Sequence, residues 1–222
     1  MNRLTLLGTL GALVLAGCAS SNPFTFAGGY QDRQFPVSVR PSDDGRLISR
    51  DWLVDGWQLN ADERPVRRQY RVSRFGRRGG LALRHRVNAG RIAMDVLPLD
   101  IATRDQDLGG MARDAASGTS AASDKFQVGI RDIHVVGETP VALGGHAGHM
   151  VLLEGGSGDG AARGAFVFVR ANYREERVRS WRVVPVLVMA SYVNRGADFE
   201  AGLADFQTFL ASIQLGPSVT GE

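Results

Sequence analysis

The chain has 222 residues, with 26 lysines and arginines against 23 aspartates and glutamates and a formal net charge of +3. That near balance gives no footing for nucleic acid as a partner, and a single cysteine excludes any disulfide within the chain. Lys125 is the only lysine, so the basic character is that of arginine.

Met1, Asn2 and Arg3 make a short basic start, and residues 4–15 follow as an apolar run without a charge. A bilayer core takes about 20 apolar residues in a helix, so this run is too short to span and reads as the apolar part of an export signal. It leads into Leu15-Ala16-Gly17-Cys18, which resembles the bacterial lipobox at all four positions. Small residues at Ala16 and Gly17 let the backbone enter a peptidase cleft, and the Cys18 thiol can take a diacylglyceryl group through a thioether. The resemblance implies removal of residues 1–17 as a signal peptide, lipidation of Cys18 and acylation of the new amino terminus. Buried acyl chains contribute about 0.8 kcal/mol per methylene, so two or three of them make a durable membrane anchor. Ala19 stands where an aspartate would favour inner-membrane retention in the enterobacterial scheme, so the outer membrane is expected, with the domain facing the periplasm. Loss of Arg3 leaves 25 basic and 23 acidic residues, a net charge of +2.

Residues 18–45 are rich in Ser, Asn, Pro, Gly and Asp and read as the lipidated cysteine and its tether, although Val37 and Val39 keep the alternation of an edge strand. Residues 46–216 have the length of a single globular domain, with residues 217–222 as a tail. Within 64–86 the arginines gather: Arg67, Arg71, Arg74, Arg77, Arg78, Arg84 and Arg86 follow Glu63 with no further acidic residue. Alternation accounts for them as a solvated strand face, and guanidinium chemistry makes the same face a candidate contact for phosphates or carboxylates of a lipid, a glycan or an acidic protein.

Leu81, Leu83, His85 and Val87 alternate as one strand face, and Ile92, Met94 and Val96 as the next. Asn88-Ala89-Gly90 between them predicts a hairpin turn with positive φ angles. Asp105 or Asp107 is expected to cap a short helix carrying Leu108, Met111, Ala112 and Ala115. Strands are expected over 126–136, 147–154 and 165–173, the last two joined by a turn at 155–160, and over 183–193. The last of these is apolar on both faces, as a central strand is, with Pro185 predicting a bulge or a start nearer Val186. Phe199, Leu203, Phe206, Leu210 and Ile213, with Phe209 beside them, predict an amphipathic helix capped by Asp198 and ended by Gly216-Pro217.

The segment from Pro140 through Gly144-Gly145-His146-Ala147-Gly148-His149, a glycine turn before an apolar strand, resembles PsbP-like and DcrB-like proteins, as does the closing strand and helix with Phe206-Gln207-Thr208-Phe209-Leu210-Ala211-Ser212-Ile213. The resemblance covers about the last 130 residues. It implies a single α+β domain, a mainly antiparallel sheet covered by helices as an α/β/α sandwich, and no shared catalytic residues.

For chemistry, His146 and His149 are the metal candidates, with His85 and His134 as distant partners; three residues apart, the pair can share an ion in a turn but faces opposite ways in a strand. His85 reads as a core histidine, and His134 lies two residues from Asp132 on one strand face. Ser157 lacks the second glycine of a nucleophile elbow, and the 156–160 glycine run lacks the Lys-Ser/Thr of a phosphate loop, so no cofactor is expected. These readings favour a membrane-anchored, non-enzymatic binding or envelope-assembly module with an envelope protein or an anionic glycan or lipid as partner. The alternatives are a hydrolase or metal-dependent enzyme using His146 and His149, and a structural lipoprotein resting its arginine-rich face on anionic lipid.

Overall fold

Strands dominate because the chain alternates apolar with other residues over long stretches, which puts every second side chain on one face of a sheet. The computed structural model describes residues 29–32, 34–40, 48–49, 51–54, 57–59, 65–67, 79–100, 103–117, 131–157, 160–177 and 180–219. In chain order the elements are β1 (Tyr30–Gln31), β2 (Val37–Val39), β3 (Trp52–Val54), β4 (Trp57–Leu59), β5 (Pro65–Arg67), β6 (Gly79–His85), β7 (Arg91–Pro98), α1 (Leu108–Ser117), β8 (Arg131–Leu143), β9 (His146–Ser157), β10 (Gly160–Arg177), β11 (Ser180–Arg195), α2 (Gly196–Ser212) and β12 (Ile213–Leu215). A seven-stranded sheet has the order β3-β6-β7-β11-β10-β9-β8, a three-stranded sheet the order β1-β2-β12, and β4 pairs with β5. Every pairing among the described residues is antiparallel, so the fold is α+β, mostly sheet with two helices.

β11 lies between β7 and β10, which is why it is apolar on both faces. Val186, Val188, Ala190 and Tyr192 point into one core, and Leu187, Met189 and Val193 into another on the opposite face. α2 packs into the first core through Phe199, Phe206 and Phe209, and burying each ring stabilises the fold by roughly 1.5–3 kcal/mol. α1 packs against the other face over β8, β9 and β10, with Met111 and Ala112 buried. Asp107 caps it, accepting the Gly110 N–H at 2.8 Å. A Cβ at Gly110 would lie 2.7 Å from Asp107 Oδ2, so the glycine that weakens the helix also makes room for its cap.

Several expectations need correction. The tether does not reach residue 45: Tyr30, Phe35, Val37 and Val39 are core residues, and β2 pairs with β12 in the register Val39 to Ile213. The Asp32 carboxylate closes the β1–β2 turn by accepting the N–H groups of Gln34 and Phe35, each at 2.9 Å. Residues 1–28 and 41–47, with the expected export signal and Cys18, lie outside the described residues. The tail is held in part, since Val219 N–H donates to the Asn172 carbonyl at 2.9 Å.

Ile213 is the first residue of β12, where pairing with β2 captures it, and not the last of the helical stripe. Asp198 lies in the first turn of α2, whose N-cap is Arg195, because β11 runs straight into the helix without a linker. Pro185 causes no bulge. It pairs with Asn172, whose own N–H and carbonyl turn away to Ser218 Oγ and Val219, so no ladder bond is asked of the proline; its carbonyl accepts Leu99 N–H at 2.8 Å. The β6–β7 connection contains no positive φ angle, and Val87 is exposed in it because β6 ends at His85. Positive φ occurs at Gly144 (+55°) and Gly145 (+83°), the two-residue turn before β9. β8 runs to Leu143, β9 to Ser157, and β10 starts at Gly160, so residues 155–157 and 160, expected in a turn, are strand, while 158 and 159 lie outside the described residues, as do 126–130.

Candidate functional site

The arginine-rich segment reaches the described residues at its two ends. Arg67 ends β5, while Arg71, Arg74, Arg77 and Arg78 lie outside the described residues. Arg84 and Arg86 are exposed at the end of β6 and in the connection that follows. In the sheet Arg84 stands directly opposite Arg91 of β7, also exposed. No carboxylate pairs with Arg84, Arg86 or Arg91 among the described residues. Opposed residues have Cβ atoms about 4.5–5.5 Å apart, and like charges there cost roughly 0.2–1 kcal/mol, which an anion bridging the two guanidinium groups would offset. Arg91 is absent from the sequence-based cluster because a polar turn separates it from Arg86; the hairpin register alone brings it back beside Arg84.

The connection carrying Arg86 is shaped by side chains. His85 Nδ1 accepts the N–H groups of Val87 (3.3 Å) and Asn88 (3.2 Å), and Asn88 Oδ1 accepts Gly90 N–H (2.8 Å). Behind it the His85 ring meets the edge of Trp52 at 5.1 Å, and Trp52 Nε1 donates to Asp205 of α2 at 2.8 Å. His85 is thus a half-buried organiser of the loop, with Nδ1 serving as an acceptor.

The remaining histidines do not converge. His146 Nε2 contacts the Gly216 carbonyl at 3.1 Å, whereas His149 Nε2 contacts Glu138 Oε2 at 3.1 Å, as strand geometry requires for residues three apart in β9. Glu138 also takes Arg113 of α1 at 3.2 Å, so this trio ties α1 to β8 and β9. His134 is exposed, with Nδ1 3.5 Å from the carbonyl of Asp132 and not from its carboxylate. Asp132 has φ +51° at a shift in the β8 register. Among the described residues no three metal-ligating side chains gather. Two buried phenols flank the first core: burial pushes Tyr173 up to about 12 and raises Tyr192, whose hydroxyl donates to the Phe199 carbonyl at 3.0 Å and accepts Asn194 Nδ2 at 3.0 Å.

No helix among the described residues is long and apolar enough to cross a membrane. No protein-family model matches the sequence, and no curated protein does. Among solved structures, the chain is similar to LpqN, involved in cell envelope biogenesis of Mycobacterium tuberculosis, with 8% identity, 89% of this chain and 88% of that one covered, and a TM-score of 0.49. It is similar to a protein of unknown function from Pseudomonas aeruginosa with 9% identity, 76% and 99% of the two chains covered, and a TM-score of 0.42. A third likeness is to the cyanobacterial PsbP of Synechocystis sp. PCC 6803, at 10% identity over 91% of this chain and 99% of that one, with a TM-score of 0.44.

Proposed function

We propose that the chain is an envelope lipoprotein, cut before Cys18 and held by lipid on the outer membrane, whose domain is a PsbP-like α/β/α sandwich acting as a non-enzymatic binding or assembly module. The lipobox at residues 15–18 supports the anchor. The observation that carries the binding role is the Arg84–Arg91 pair, two exposed guanidinium groups opposed across a hairpin without a carboxylate partner among the described residues. Their fork geometry suits bidentate contact with phosphate or carboxylate groups, so the partner is an anionic glycan or an acidic face of an envelope protein. Arg86 is exposed beside them, and in sequence Arg67, Arg71, Arg74, Arg77 and Arg78 precede them.

Cross-linking in intact envelopes tests the binding role. Adducts formed by the wild-type chain are expected to disappear in Arg84→Glu/Arg91→Glu and to persist in Arg104→Glu, an exposed arginine outside the hairpin. Adducts unchanged in the double variant would sink the proposal. The anchor is tested apart from it: Cys18→Ser is expected to lose incorporated palmitate and to leave the membrane fraction.

A further inference from the structure

The β10–β11 hairpin outruns the rest of the sheet. β9 pairs with β10 only as far as Val169, and β7 pairs with β11 only from Val186, so residues 170–177 and 180–185 continue as a two-stranded arm. One face of this arm is covered: Tyr173 and Val184 are buried, Phe35 stacks 6.0 Å from Tyr173, and Gln34 Nε2 donates to Glu175 at 3.0 Å. Glu175 also pairs with Arg182 across the hairpin. Trp181 and Arg174, by alternation, take the opposite face. Trp181 is 51% exposed there, with the Arg174 guanidinium 4.9 Å over its ring. In sequence, residues 174–182 carry Arg174, Arg177, Arg179 and Arg182 against Glu175 and Glu176, a net charge of +2.

We propose that this arm is a second membrane contact, with Trp181 seated among lipid headgroups and Arg174 on a lipid phosphate. The proposal rests on lipidation of Cys18. An indole has an apolar body and a polar N–H, the combination that favours the bilayer interface, and arginine beside it matches anionic headgroups in charge. The course of the chain favours a membrane over any other occupant. Gln34 and Phe35 lie on the base of the arm, and Gly29 is five residues earlier, at most about 17 Å along the backbone. Cys18 is eleven residues before Gly29, at most about 40 Å. The lipid on Cys18 therefore keeps the base of the arm within reach of the bilayer, at most about 57 Å along the backbone.

The lipidated protein reconstituted into phosphatidylethanolamine/phosphatidylglycerol vesicles with brominated acyl chains provides the test. Tryptophan emission is expected to be quenched, with the quenched component missing in Trp181→Phe and reduced in Arg174→Glu, while Arg84→Glu/Arg91→Glu is quenched like the wild type. Equal quenching of the wild type and Trp181→Phe overturns the proposal, as does a cross-link from the arm to a protein with Trp181 unquenched. The mass of the amino-terminal peptide reads lipidation independently, so failure of the anchor and failure of the arm are told apart.

Discussion

Gly202→Ala is a severe test of how α2 meets the sheet. In an exposed helix interior this change stabilises by about 1 kcal/mol. Here a Cβ would lie 2.2 Å from Tyr192 Oη and 2.8 Å from its Cζ, so the phenol or the helix must move by more than about 1 Å to reach ordinary contact. The ring has little freedom, because it is fully buried and stacks on Phe199 (5.1 Å) and Phe206 (5.8 Å). Overpacking costs about 1–3 kcal/mol, and displacing the hydroxyl from the Phe199 carbonyl and Asn194 costs about 1–3 kcal/mol more. Set against the gain in helix propensity, the net destabilisation is about 1–5 kcal/mol, a fall in melting temperature of roughly 2–4 °C per kcal/mol for a domain of this size. Urea and thermal unfolding of Gly202→Ala, Tyr192→Phe and the double variant read it. Removing the hydroxyl relieves the worst contact, so the double variant should be less destabilised than the sum of the singles by at least about 1 kcal/mol. A rise in melting temperature for Gly202→Ala, or strict additivity, would refute this account of the interface.

Among the described residues the buried Tyr173 hydroxyl has no hydrogen-bond partner, and burial raises its pKa to about 12. Below about pH 10 it is neutral in both states; above that the unfolded phenol ionises first, so stability falls as pH rises from about 10 to 12. Tyr173→Phe should lessen that alkaline loss in pH-dependent melts without lowering stability at neutral pH, and an unchanged alkaline limb would count against it. Asp107 is held below the usual carboxylate range, chiefly by the Gly110 N–H, so its contribution is present above the ordinary carboxylate pKa and is lost as pH falls through its lowered value. Asp107→Asn should flatten that acid dependence, as followed by helical circular dichroism. Gly148→Ala places a Cβ 2.7 Å from Val169 Cγ2 and 2.8 Å from the Phe168 carbonyl, and should destabilise by about 1–3 kcal/mol in urea unfolding.

Local pattern carried far in this chain where neighbours in sequence are also neighbours in space. Alternation located β6 and β7, a run apolar on both faces located β11, the 3.6-residue period located α2, and the cap of α1 was legible as Asp105 or Asp107, of which Asp107 makes the bond. The errors cluster where a distant partner decides the outcome. Val37 and Val39 showed the alternation of an edge strand, but their central place between β1 and β12 depends on residues 213–215, and Ile213 looked helical because β12 needs β2. Pro185 looked like a misfit because its tolerance depends on Asn172 turning its bonds to residues 218 and 219. Arg91 escaped the basic cluster for the same reason, since only the register with Arg84 reveals the pair.

β11 links the two surfaces proposed for function. Val193 pairs with Arg91, and Trp181 lies twelve residues earlier on the same strand, about 40 Å away at 3.3–3.4 Å per residue. A strand fastened to β10 along its length and to β7 over 186–193 is a rigid spacer, so the two sites keep their separation. If the arm rests on lipid with β11 upright on the bilayer, the Arg84–Arg91 end stands away from it by a distance several times the Debye length of about 8 Å at physiological salt, beyond the reach of headgroup charge. Its charges are then open to an anionic partner in the surrounding compartment. The same sheet thus separates a lipid-facing end, where an exposed indole is useful, from an end where arginines without carboxylate partners among the described residues retain their charge for recognition.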